Sequence, residues 1–401
     1  MSLKRRRVTW SVILATIACV GLGWSILTAQ QEATPPAESL LPANAVLYFG
    51  TDGMDAHRET WEKTAAYEAL YETGLVQAID KMLSGFMTAA GQQAGSIGRA
   101  YEHIGAKGLS FAVALPADAN AQPLPYATLV LHEASHFEPS LEEVAMASLG
   151  RDADFQSQEI SGRNITTGMI PVSPGLEAEI GWWTEGRHLV IAAGFGAVAQ
   201  TVSVATGDSP NITTAELWKK YRKTPPDFEM SSLFWLDFGA LRAKFGKMPL
   251  PTPDKPVTVD QLLTALGLDK LGALACQTGY KGRAQWVETT MEAPGPRTGL
   301  LALGDEKPIT LDDLPPLPFG NTGFYACSVD WSKVYDTLVK VARDVSALGP
   351  PDAAAQVDGA IEAAPAMLGF DPKTELLDPL GNVICAYGEN RQGIFFMGIG
   401  V

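Results

Sequence analysis

Cysteine and histidine are scarce in this chain of 401 residues, with four of the first and five of the second. The cysteines are Cys19, Cys276, Cys327 and Cys385, and no two are spaced Cys-x-x-Cys, which excludes a disulfide framework and a zinc ribbon. Cys19 lies in an apolar N-terminal stretch. The other three each sit in a strand-like apolar run, "GALACQTG", "GFYACSVD" and "NVICAYG". Three cannot all pair within one chain, so either buried thiols or a single disulfide among Cys276, Cys327 and Cys385 satisfies the sequence. Positive charge is also short: 30 Lys and Arg stand against 45 Asp and Glu, a net charge of -15. Lys4, Arg5, Arg6 and Arg7 hold four of those positive charges, leaving -19 for the rest of the chain. Such a surface repels phosphate backbones, and no basic stripe with interleaved aromatics offsets it, so nucleic acid is excluded as the main partner.

What is present points to an exported, folded protein. With 46% hydrophobic and 19% charged residues the chain can bury sizeable cores, and its length calls for two or three structural units. The four basic residues precede an uncharged stretch from Val8 to Gln31. Its apolar part is about 20 residues, the length of a bilayer-spanning helix. The positive-inside rule keeps the basic end in the cytoplasm and exports everything after Gln31. Residues 1–31 therefore read as a signal peptide or, since Leu27 is a poor residue for a cleavage site, an uncleaved signal anchor. Cleavage would make the protein secreted. The polar, proline-bearing segment 32–40 reads as a linker.

Three passages resemble one another: "LPANAVLYFGTDGMDAHRETWEKT" from 41, "PPDFEMSSLFWLDFGALRAKF" from 225 and "LPFGNTGFYACSVDWSKVYDTLVKVA" from 317. Each runs from proline through an aromatic strand to an Asp and into helical spacing. Asp52, Asp237 and Asp330 therefore read as helix caps, accepting hydrogen bonds from free N–H groups. Tyr67, Tyr71, Leu75, Ile79 and Leu83 share a helical face, as do Val334, Leu338, Val341 and Val345. The second and third passages lead to "LGLD" at 266–269 and "LGFD" at 368–371, and all three end in two strand-like runs. The spacing predicts an α+β fold of repeated strand-helix-hairpin (βαββ) units, forming mainly antiparallel sheets packed by helices. The expected divisions are 41–222, a first unit with a hairpin and helix extension, then 223–316, then 317–401. Within the extension, turns are expected at Ser161-Gly162 and Glu185-Gly186, and short helices near 196–206 and 213–222. Trp182 and Trp183 are adjacent strand residues, so either one is exposed for stacking or both lie between sheet and helix. The apolar C-terminal strand, ending at Val401, would suit a chain that continues.

The "LP-x-x-A" opening at Leu41 to Ala45, "HLVIAAGFGAV", "LGLD" and the "APGPRTGLLAL" run at 293–303 resemble an uncharacterised exported bacterial protein family, domain of unknown function 3352. That resemblance covers most of the chain after residue 40. It implies an anchored extracytoplasmic protein and carries no catalytic residues.

Three strings mimic catalytic motifs. "HEASH", His132 to His136, matches the zinc-peptidase pattern H-E-x-x-H, in which two histidines one helical turn apart bind zinc and the Glu activates water. Here strand formers "YATLVL" precede it, while Pro139 and a capping box at Ser140 and Glu143 place a helix start after it. In an extended segment His132 and His136 would lie about 13 Å apart, too far for one zinc. Gly194 to Ala199 fits G-x-G-x-x-A, but residues 208–222 supply no second strand for a dinucleotide, and the glycines read as a tight turn. "AGSIG" around Ser96 lies in helical sequence, not at a strand end. The sequence thus calls for no cofactor and no metal. It describes a membrane-anchored binding or scaffold protein for an unidentified envelope ligand or protein, a class that includes a carrier of small or lipidic molecules. The alternative is a zinc metallopeptidase with His132 and His136 as ligands and Glu133 as general base.

Overall fold

The computed structural model of the chain describes residues 34–78, 81, 92–116, 124–139, 141, 155–173, 176–251, 256–316, 321–389 and 396–400. The expected N-terminal helix, Ile79, Leu83 and the capping serine at 140 lie outside them. Among the described residues no helix is long and apolar enough to cross a membrane. The architecture is α+β, a large antiparallel sheet packed by helices. Its described residues divide into two compact units, those within 1–236 and 275–289, and those within 237–274 and 290–401. The expected boundaries do not coincide with this partition. Segment 223–316 is split between the two, because most of its strand residues join the first compact unit and its helices belong to the second.

In chain order the strands are β1 (Ala45–Thr51), β2 (Leu109–Ala114), β3 (Tyr126–Leu131), β4 (Gln156–Ile160), β5 (Arg163–Ser173), β6 (Leu176–Glu185), β7 (His188–Gly194) and β8 (Glu229–Asp237). Then come the two-residue β9 (Pro249–Leu250) and β10 (Val257–Thr258), followed by β11 (Ala273–Lys281), β12 (Ala284–Met291), β13 (Asn321–Ser328), β14 (Val383–Glu389) and β15 (Phe396–Gly400). The main helices are α1 (Gln92–Lys107), α2 (Ala197–Ala205), α3 (Glu216–Tyr221), α4 (Phe238–Phe245), α5 (Val259–Leu266), α6 (Trp331–Ser346) and α7 (Ala353–Leu368).

In the first unit the large sheet runs β12-β11-β8-β1-β2-β3-β7-β6-β5-β4. Strict alternation of buried and half-buried residues along β2 and β3 follows from period-2 patterning in "LSFAVA" and "YATLVL". The hairpin turns fall where turn chemistry puts them: Ser161 and Gly162 have φ 51° and 77°, and Gly186 has φ 58°. Helix α2 buries Val198 and Val202 in a core shared with Trp183, Val190 and Tyr48. Both tryptophans are buried: Trp182 packs on Phe155 at 5.0 Å between ring centres, and Trp183 Nε1 donates to Glu185 at 3.0 Å. The linker expected at 32–40 is also corrected. Ala37–Leu40 forms a 3-10 turn, and Leu40 and Leu41, 2% and 0% exposed, join the core. Their apolar burial outweighs the polar composition of the residues around them.

The central seam is the antiparallel pair β1 and β8. Phe49 stands opposite Phe234, each three residues before the Asp that ends its passage, and the pairs run symmetrically outward from Leu47–Leu236 to Thr51–Ser232. In β1–β2, Phe49 faces Phe111, three residues after Gly108. In β13–β14 of the second unit, Cys327, three before Asp330, faces Ile384, three after Gly381. That unit holds the sheet β13-β14-β15 and helices α4 to α7. As expected, Asp237 caps α4 through the Ala240 N–H at 2.8 Å, and Asp330 caps α6 through the Lys333 N–H at 2.9 Å. The two "LG-x-D" landmarks are helix ends: Gly267 and Gly369 close α5 and α7 at φ 71° and 79°, a conformation that favours glycine. Cys276, Cys327 and Cys385 are free thiols, with Cys385 buried.

Candidate functional site

The "HEASH" string contributes to a cleft, but not as a helix. Strand β3 ends at Leu131, His132 and Glu133 turn, and Ser135–Phe137 makes one 3-10 turn before helical residues resume at Glu138. The two histidines therefore face different neighbours. His132 lies 5.6 Å from the ring of His188, while His136 lies 5.1 Å from His103 and 4.2 Å from Phe137. His132, Glu133 and His188 line an open cleft of about 550 Å³. Glu38 from the entering chain, Asp52 and Asp55 after β1, Lys107 at the end of α1, and Arg222 after α3 complete its charged lining.

Hydrogen bonding assigns the ring tautomers. His132 Nδ1 faces the Lys107 carbonyl at 3.1 Å, so it carries the proton and donates; Nε2 then accepts from the Ser110 hydroxyl at 3.0 Å. His188 has the opposite tautomer. Its Nε2 donates to the Pro35 carbonyl at 3.0 Å, and its Nδ1 accepts the Glu133 N–H at 3.2 Å. That N–H is aimed by the left-handed backbone of Glu133, φ 50°, uncommon for a residue with a side chain. Burial pushes both imidazole pKa values down, so the rings are held neutral. All four ring nitrogens are occupied. Zinc on His132 would first have to displace its backbone or hydroxyl partner.

The charges of the cleft are mutually paired. Lys107 Nζ lies 3.3 Å from both Glu133 and Asp55, and Arg187 lies 3.3 Å from the other Glu133 oxygen. The Lys107 hydrogen bond holds the Glu133 carboxyl below its usual range, and Arg58 followed by Lys107 does the same for Asp55. Glu133 is thus an ionised partner of two cations, not a base poised near neutrality. Asp52 lies 3.8 Å from Arg222, whose guanidinium stacks 5.5 Å from the Trp218 ring centre. It also lies 3.4 Å from His57 Nε2, and His57 Nδ1 meets Glu229 at 2.6 Å.

Asp52 corrects the capping expectation. The residue preceding the following 3-10 turn is Gly53, φ 78°, and no side chain caps that turn. A Cβ on Gly53 would come within 2.5 Å of the Ala106 and Gly108 backbone. This close approach sets the end of α1 beside Asp52 and Asp55 and frees the Asp52 carboxylate for the cleft. His188, Lys107 and Arg222 carry no spacing signal, because each reaches the site from a different, distant segment; His57, five residues from Asp52, joins it by a local contact. The dipeptide Asp52-Gly53, a turn signal where a helix start was read, is the one local clue.

The other two strings are backbone features. Gly194 and Gly196, φ 128° and 63°, turn β7 into α2, and the Glu179 carboxylate accepts the Val198 N–H at 3.1 Å, occupying the helix end where a pyrophosphate would bind. Ser96 falls within α1. Among the described residues no three His, Cys, Asp or Glu side chains are grouped to hold a metal ion.

No family model matches the chain, and no curated protein does. One solved structure, that of crystal form I of TP0453, is similar over 67% of this chain and 83% of that one, at 9% identity and a TM-score of 0.28. A likeness of that size carries no argument.

Proposed function

We propose that this is an extracytoplasmic binding protein, held at a membrane by residues 1–31 and built from three copies of one βαββ unit, whose cleft takes a small, amine-bearing polar solute. The observation that carries the binding reading is the commitment of every His132 and His188 ring nitrogen to a fixed protein partner, beside an already ion-paired Glu133. These three side chains so arranged present fixed hydrogen-bonding surface, and none of them is a free base or metal ligand. Its lining carries the acids Glu38, Asp52, Asp55 and Glu133 against Lys107 and Arg222, an excess of two negative charges that favours a cationic guest. The repeat reading is supported by the shared Asp and Gly registers of β1–β2 and β13–β14 and by the symmetric β1–β8 seam. Membrane anchoring rests on the basic, uncharged-core N-terminus and on the family resemblance.

Calorimetric titration against a panel of amines, amino acids and matched carboxylates tests the ligand class. An amine should bind, and Asp52→Asn should weaken it about tenfold or more, the loss expected for one charge-assisted contact. Preference for the carboxylates, or unchanged amine affinity in Asp52→Asn, would contradict the proposal.

A further inference from the structure

We infer that the free edge of β13 is a homodimer interface, on which the β13 of a second copy of this chain pairs antiparallel about a two-fold axis through Cys327. The inference rests on the three-unit reading, which makes β1, β8 and β13 equivalent first strands. Two of these already show how first strands meet. β1 and β8 pair antiparallel, centred on the residue three before each terminal Asp, Phe49 opposite Phe234, so the order β3-β2-β1-β8-β11-β12 is a local two-fold arrangement of two units. The third unit has the same internal order, β13-β14-β15, with β13 at one edge; among the described residues only β14 adjoins it. Its N–H and C=O groups along that edge form a row that another strand can complete.

Equivalent pairing fixes the register. The residue three before Asp330 is Cys327, so Cys327 would face the second copy's Cys327, Ala326 would face Ser328, and Tyr325 would face Val329. The residues nearest the axis are small and allow close approach. Tyr325 is 68% exposed, and an aromatic ring opposite a β-branched side chain is a favourable cross-strand pair. A second copy is preferred to an unrelated strand because the geometry is self-complementary and closes after two chains, as two-fold interfaces do.

The test uses the full chain, in its own membranes and after detergent extraction. Copper-phenanthroline oxidation, which joins thiols already in contact, should give a reducible species of twice the chain mass. It should persist in Cys276→Ser and Cys385→Ser and vanish in Cys327→Ser, while sedimentation still reports a dimer in all three. A register check in the Cys327→Ser background adds Ala326→Cys to one chain and Ser328→Cys to another. The mixture should cross-link and either chain alone should cross-link far less. A monomeric mass, or a dimer that cross-links through Cys276 or Cys385, or one whose Cys327 residues do not join, would overturn the interface. None of these outcomes bears on the three-unit reading, which is tested separately by superposing residues 41–132, 225–292 and 317–401 in an experimental structure.

Discussion

At the scale of single residues, the neutrality of His132 and His188 has a consequence for pH. Both have folded-state pKa values below the ordinary 6.5 through burial, so the unfolded chain takes up protons that the native one refuses. Their contribution is fully present above that value and is lost as pH falls below it. Thermal melts from about pH 7.5 to about pH 5.5 should show a falling Tm, at about 1–2 °C for each kcal/mol lost. His188→Gln should flatten that slope; an identical slope in the variant would remove these rings as its cause. The depressed carboxyls of Glu133, Asp55 and Glu229 act in a lower window, below their ordinary 3.8 to 4.5, so the two effects separate. None of this was legible in "HEASH". The tautomers depend on Pro35, Lys107 and Ser110, which touch the motif only through the fold.

At the scale of elements, much of the secondary structure was readable because local rules act alone there. Period-2 burial gives β2 and β3, Ser161-Gly162 and Gly186 give the hairpins, and Asp237 and Asp330 give two helix starts. Those two caps should each be worth about 1 kcal/mol, so Asp237→Ala and Asp330→Ala should lower the urea midpoint to that extent. Asp52→Ala should leave helix stability alone and alter the cleft. Sequence reading failed at Asp52 because it assumed that like strings continue alike, whereas the Gly53–Gly108 approach diverts the chain. It failed at 34–41 because composition hides position. Two buried leucines in a polar stretch are worth about 1.5–3 kcal/mol each. Truncation before Pro42 should therefore cost several kcal/mol more than truncation before Thr34. Equal stability of the two would contradict the burial of Leu40 and Leu41.

At the scale of the whole molecule, the α+β class and the antiparallel sheet follow from the strand-helix-hairpin spacing, but the partition does not. Sequence distance predicted three consecutive units. Pairing of β8 with β1 instead draws β11 and β12 into one ten-stranded sheet and leaves the intervening helices in the other compact unit. The hydrogen bonds between first strands, satisfied at once along a whole seam, outweigh chain order. The topology proposed for the N-terminus predicts that the full-length chain stays with membranes washed in alkaline carbonate. Recovery in the cytosolic soluble fraction would contradict it.

The central claim is that His132 and His188 are fixed hydrogen-bonding walls of a binding cleft and not zinc ligands. With only five histidines in the chain, imidazole ¹⁵N spectra of histidine-labelled full-length protein test it most directly. At neutral pH His132 should report the Nδ1–H tautomer and His188 the Nε2–H tautomer, and one equivalent of zinc should move neither. Identical tautomers, or a shift of the His132 and His136 signals together on adding one equivalent of zinc, would contradict the account and favour the metallopeptidase.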